Sequence, residues 1–119
     1  MPTRLAPCPR TPNCVSTQAP PGSSKKMDPI PYQGTLALAR ERLLTVLRAM
    51  PRTRIMKEEP EYIHAVCRSR VFRFADDVEL EFDDEAKQIH FRSASRLGRR
   101  DFEVNRKRME GIREAFLAP

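Results

Sequence analysis

The sequence contains no tryptophan, and only two tyrosines and six phenylalanines among its 119 residues. A stacking platform for single-stranded nucleic acid needs aromatic faces. Such a platform is poorly supplied here, and the lysines and arginines are scattered among many acids, so no nucleic acid is expected as a partner. No stretch approaches the roughly 18 apolar residues of a membrane-crossing helix, and the N-terminus lacks the apolar core of a signal peptide. The chain therefore reads as soluble and cytoplasmic, with no membrane partner. Three cysteines make an odd count. Cys8 and Cys14 are close together in a proline-rich segment, where a disulfide is open to them in an oxidising compartment. Their spacing is too wide for a zinc knuckle, and no second Cys or His pair follows at finger spacing. There is no P-loop, no nucleophile elbow and no HExxH helix, and no cofactor is expected.

What is present fits one domain with a modest core. Basic residues number 22 against 16 acidic ones, a net charge of +6 that is compatible with an acidic ligand without demanding one. Most of the eleven prolines fall before Tyr32, so no regular helix runs through residues 1–32. This part reads as an extended, proline-rich arm that wraps the remaining domain, 33–119. Asn13 to Ser16 is its one candidate for a short edge strand.

The domain reads as α+β, in the order (β)-α-β-β-β-β-α. An antiparallel sheet of four to five strands carries both helices on one face. Thr35 to Met50 has an apolar stripe of Leu36, Ala39, Leu43, Leu47 and Met50, with Thr35 as its cap and Pro51 as its end. Thr53 to Glu59 and Tyr62 to Arg70 are expected strands, and Cys67 in the second reads as a small buried hydrophobe. Asp77 to Asp83 alternates most clearly: Val78, Leu80 and Phe82 face the core, and Asp77, Glu79, Glu81 and Asp83 face away. Pairing Phe82 with Ile89 sets Leu80 opposite Phe91, Glu81 opposite His90 and Glu79 opposite Arg92. A slip of one residue would bury the acids, which specifies this register.

The unusual residues concentrate between Phe91 and Phe116. Phe102, Met109, Ile112 and Phe116 follow helical spacing, with Asp101 placed to cap the first turn. Asn105 sits on the same apolar stripe. A buried amide costs roughly 1–3 kcal/mol unless it is hydrogen-bonded, so Asn105 needs a fixed partner. The favoured reading is an internal clip to the Ser93–Arg96 turn; the other is a ligand contact. Ser93 to Gly98, ringed by Arg92, Arg96, Arg99 and Arg100 and followed by a helix N-terminus, has the parts of an anion site. The alternative is that Asp101 already satisfies those N–H groups and the arginines are solvated. Asp76, Asp77, Glu79 and Glu81 supply enough oxygens to invite a metal, but Asp76 and Asp77 point to opposite faces of a strand, and no metal is expected.

Three stretches carry a resemblance: CPRTPNCV at Cys8 to Val15, Phe74 with Asp76-Asp77-Val78-Glu79, and SASRLGRRDFEVNR at Ser93 to Arg106. In this order they resemble an uncharacterised bacterial and plant family, a domain of unknown function with CPxxPNCVSS, FxDDxE and SASRxGxxDxGxNRxRxE motifs. The likeness spans about Pro7 to Phe116. Thr17 replaces the usual second Ser, and Glu103 stands where a Gly is usual. The resemblance implies a common fold and a common polar site built from Asp77, Arg92, Ser93, Ser95, Arg96, Asp101, Asn105 and Arg106, but no reaction. The expected function is a binding or accessory module with an arginine-containing pocket for a small anionic ligand. The alternatives are an enzyme using His64 and Asp77 with arginine stabilisation, and a protein-interaction or structural unit that uses the arm.

Overall fold

Thr35 and Pro51 bracket the first helix, α1 (Leu36–Ala49). In the computed structural model, which describes residues 4–9, 13–70, 74–96 and 103–119, the Thr35 Oγ1 accepts the Leu38 N–H at 3.2 Å. That bond satisfies one of the orphan donors of the first turn. Ala39, Leu43, Leu44 and Leu47 are buried along one face of α1, and Leu36, Val46 and Met50 pack partly against the same core. Arg48 in the last turn complements the negative end of the helix.

Six strands form one sheet: β1 (Cys14–Ser16), β2 (Ile30–Pro31), β3 (Thr53–Glu59), β4 (Tyr62–Arg68), β5 (Ala75–Asp83) and β6 (Gln88–Ser95). The order across the sheet is β1-β6-β5-β4-β3, with β2 pairing the other end of β6 beside β1, and every strand pairing is antiparallel. The class is α+β as expected, with β1 and β2 added by the arm. The β5–β6 register is the one that alternation specifies, Phe82 opposite Ile89, Leu80 opposite Phe91, Glu81 opposite His90 and Glu79 opposite Arg92. Edge strand β3 is interrupted by a bulge between Ile55 and Lys57, which together with its charges discourages pairing with another chain.

Ser93 to Ser95 differ from expectation. They continue β6 and do not form a turn. The reason is long-range: β1 lays Cys14 beside Ala94 and Val15 beside Ser93, while β5 supplies Asp76 to Ser95 on the other side. With ladder partners on both edges, an otherwise turn-prone serine segment stays extended. A disulfide joins Cys8 to Cys14 and ties the start of the arm to β1. Such bridges persist in oxidising compartments, which sits against the cytoplasmic expectation.

The second helix, α2 (Val104–Leu117), starts later than its apolar spacing suggests. Asp101, read as its cap, and Phe102, read as its first apolar residue, lie outside the described residues, as do Gly98, Arg99 and Arg100. Glu103 occupies the cap position and gives no side-chain cap bond. Met109, Ile112 and Phe116 close the core against Leu43, Leu47, Ile63, Leu80 and Phe91, and the expected buried Cys67 belongs to the same cluster.

Glu103 has φ 68° and ψ 18°, the left-handed region. A side chain there costs roughly 1–2 kcal/mol that glycine avoids, and this is the place where the resembled family usually has Gly. Glu103→Gly is expected to stabilise the fold by about 1 kcal/mol in urea unfolding. An unchanged or lower midpoint would show that the contacts of the glutamate offset its strain.

Candidate functional site

Strand β6 sends alternate residues to opposite faces of the sheet, and the predicted site residues divide accordingly. Ser93 and Ser95 point to the helix side, and Arg92 and Arg96 to the outer side.

On the helix side the centre is Asn105, fully buried on α2. Its Oδ1 accepts from Ser93 Oγ at 2.6 Å and from Arg108 Nη1 at 2.7 Å. Its Nδ2 donates to the Asn13 carbonyl at 3.1 Å and to Ser95 Oγ at 3.2 Å. A guanidinium only donates and a peptide carbonyl only accepts, so the orientation of the amide is determined. The Asn13 carbonyl also accepts the Ser95 N–H at 3.0 Å. Arm, strand and helix therefore meet at one carboxamide. Arg108 completes the group by donating to Asp76 at 2.8 Å, both side chains being nearly buried. Neither Arg108 nor Asp76 stands out as a structural pair in the sequence. The available signal is the i, i+3 relation of Arg108 to Asn105, which places it beside the amide.

On the outer side, His64 from β4, Asp77 from β5 and Arg96 just beyond β6 come together. Arg96 grips the Asp77 carboxylate as a fork, Nε to Oδ2 at 2.9 Å and Nη2 to Oδ1 at 2.9 Å. His64 Nε2 lies 2.8 Å from the same Oδ1. Burial pushes the Asp77 carboxyl up, but the bonds from Arg96 and then His64 outweigh it and hold the group below its ordinary value. Arg96 is in turn raised, chiefly by its bond to Asp77.

Further along this face the acids are covered. Arg92 pairs with Glu79 at 3.0 Å, and both are largely buried. Glu79 also accepts the Tyr62 hydroxyl and the Ala6 N–H. Glu81, opposite His90 as the register places it, accepts the Arg4 N–H at 3.0 Å, and His90 Nδ1 meets Thr17 and Gln18. The Arg4 guanidinium stacks 4.2 Å above the Tyr62 ring. Burial, then the bond to Glu79, pushes the Tyr62 phenol far up.

Arg106 is not brought to either group; it donates to the Ser24 carbonyl at 2.5 Å. Asp101 lies outside the described residues. Beside the His64 group, Arg52, Thr53, Arg54, Val66 and Arg68 line a small cleft on β3 and β4. Among the described residues no three His, Cys, Asp or Glu side chains gather as a metal site. A groove between the end of α2 and α1, lined by Tyr32, Leu38, Arg42 and Phe116 among others, contains none of the predicted site residues.

Two measurements follow from this geometry. Asn105→Leu removes one hydrogen bond each from Ser93, Ser95, Arg108 and the Asn13 carbonyl, and is expected to destabilise the fold by at least about 1 kcal/mol in denaturant unfolding; a neutral result would remove the amide from the network. Asp77 has a lowered native pKa, so its contribution to stability is present above its ordinary value of 3.8 and is lost as pH falls through the lower native value. Asp77→Asn is expected to flatten the acid limb, its melting temperature falling less than the wild type's between about pH 5 and pH 2. Parallel curves would show that Asp77 contributes nothing to it.

Among the described residues no helix is long and apolar enough to cross a membrane. Comparison with curated proteins and with solved structures finds no match to this chain. A family model does match, over residues 4–116, and its span takes in the arm, both sides of β6 and the clip around Asn105. The chain belongs to the family described as "Protein of unknown function (DUF1499)".

Proposed function

We propose that the domain is a binding module for a small anionic ligand, and that the ligand meets the outer face at Arg96. The observation that carries this reading is the state of that guanidinium. Its fork on Asp77 employs Nε and one N–H of Nη2, and its side chain remains 48% exposed. Arginine has five N–H donors in a rigid plane, so the others remain to be offered outward in a fixed direction. Asp77 acts as the orienting group, itself steadied by His64. Arg92, two same-face positions back along β6, is held by Glu79 and adds no free charge to this end. Ser93, Ser95 and Asn105 enter as the frame that holds β6 from behind, and neither Arg106 nor Asp101 is needed.

A second reading draws on the 2.8 Å contact between His64 and Asp77. A histidine oriented by a carboxylate has the arrangement of a general base, with Arg96 as the electrostatic stabiliser.

A thermal-shift screen of the full chain against phosphates, nucleotides and carboxylates separates the readings. A ligand held by the native state at about 100 times its Kd stabilises by about 2.7 kcal/mol, a shift of several degrees. The shift is expected to vanish in Arg96→Ala and to persist in His64→Ala. A shift that survives Arg96→Ala sinks the proposed site. Conversion of the ligand that stops in His64→Ala, with binding intact, establishes the enzyme instead.

A further inference from the structure

The arginine at the proposed site does not stand alone on its face. Cross-strand register extends a row from it to the edge of the sheet. The Arg96 N–H bonds the Ala75 carbonyl, Ala75 pairs with Arg68, and the Arg68 N–H bonds the Arg52 carbonyl. One step inward, Arg54 pairs with Val66, and Val66 with Asp77. Strands lie roughly 4.8 Å apart, so the backbone path from Arg96 to Arg68 spans roughly 10 Å. A guanidinium on its three-carbon stem reaches across much of that distance from each side. Beside this row, on β3 and β4, a cleft of about 300 Å³ is walled by Arg52, Arg54 and Arg68 and has buried Val66 among its lining. That is the lower end of small-molecule sites.

Charge decides what this cleft favours. Among the described residues, the guanidinium groups of Arg52, Arg54 and Arg96 and the side chain of Arg68 share this end of the outer face with the carboxylate of Asp77. Among the described residues neither Arg52 nor Arg54 has an acidic partner within ion-pair distance. The covered end of the same face, by contrast, pairs Glu79 with Arg92 and bonds Glu81 to the arm. Planar forks suit phosphate oxygens, and several forks set along a line suit linked phosphates better than one.

Resting on the reading of Arg96 above, we infer that the ligand is of the diphosphate class, with at least two linked anionic groups, one at Arg96 and the next in the cleft of Arg52, Arg54 and Arg68. The test is calorimetric titration of the full chain, at fixed ionic strength and without metal, with orthophosphate, inorganic diphosphate and tripolyphosphate. Wild type is compared with Arg54→Gln and Arg96→Gln. Arg54 is exposed on an edge strand, and a melting curve checks that both variants fold. Diphosphate is expected to bind at least about tenfold more tightly than orthophosphate. Arg54→Gln is expected to erase that gain and leave orthophosphate affinity within about twofold, while Arg96→Gln weakens both. Arg54→Lys, which keeps the charge but not the fork, is expected to recover only part of the gain. Orthophosphate binding that depends on Arg96, with no gain from the second phosphate or with a gain that survives Arg54→Gln, overturns this inference and leaves the binding module standing. No heat with any of the three anions overturns the diphosphate assignment and leaves the reading of Arg96 to the carboxylates of the thermal-shift panel. A single-stranded oligonucleotide bound far more tightly than tripolyphosphate, through the same arginines, would make the ligand a nucleic acid and also overturn the diphosphate assignment.

Discussion

The carboxamide of Asn105 is the constraint on which the rest of the molecule depends. It is fully buried, so each of its polar atoms must be matched or the fold bears the desolvation cost. The matches come from three parts of the chain that are far apart in sequence: Asn13 in the arm, Ser93 and Ser95 on β6, and Arg108 one turn along the helix. Apolar contacts are non-directional and tolerate sliding. An amide with its donors and acceptors all assigned does not slide, so it fixes where α2 lies on β6 and where the arm enters the sheet. The buried pair of Arg108 and Asp76 has the same character. Its value lies in defining geometry, because removing charges from water offsets much of their attraction.

Strand β6 then carries this precision through the sheet. The period of two puts Ser93 and Ser95 into the clip and leaves Arg92 and Arg96 on the opposite side. Whatever holds the serines in place also sets the height and direction of the arginines. The rigid layer lies beneath the site, and Arg96 needs only the fork of Asp77 to complete its orientation. This is the support that a binding residue requires, since a group on an element locked from behind loses little freedom on meeting its ligand.

The scaffold was legible from local patterns. Thr35, Pro51 and the leucine spacing define α1, and the alternation of Val78, Leu80 and Phe82 with acids fixes the register against Ile89 and Phe91. These features are short in range and strongly periodic. The polar residues singled out from the sequence were not legible in their arrangement: Arg106 joins neither group, and Arg108 and Asp76 enter the buried one. Ser93 to Gly98 has the composition of a turn, and only the distant pairing with Cys14 and Val15 holds Ser93 to Ser95 extended. Reading a turn there let all the polar residues converge in one pocket; as a strand they separate onto two faces. Asn105 was detectable because a polar residue on an apolar stripe breaks a rule, whereas Arg108 broke none. The covering of Glu79 and Glu81 by Arg4 and Ala6 had no local signal, because backbone N–H groups are the same in every sequence.

That covering explains why one end of the outer face is available and the other is not. Tyr62, Glu79, Glu81 and Arg92 form a row whose charges are satisfied among themselves and by the arm, which the Cys8–Cys14 bridge ties to β1. A carboxylate used this way has little left to offer a ligand, and its burial makes disruption costly. The arm's contacts with this face run through Arg4 and Ala6 to Tyr62, Glu79 and Glu81, and the row of Arg52, Arg68 and Arg96 begins beyond them. Among the described residues, arginines outnumber carboxylates there, because most acids of β5 are engaged elsewhere. Asp76 is turned to the helices, and Glu79 and Glu81 lie under the arm. Among the described residues, Asp77 is the acid of β5 turned to this end of the outer face, and its fork with Arg96 directs the guanidinium. The arm that covers the acids at one end of the sheet thus leaves the exposed Arg52, Arg54 and Arg96 outside its reach at the other.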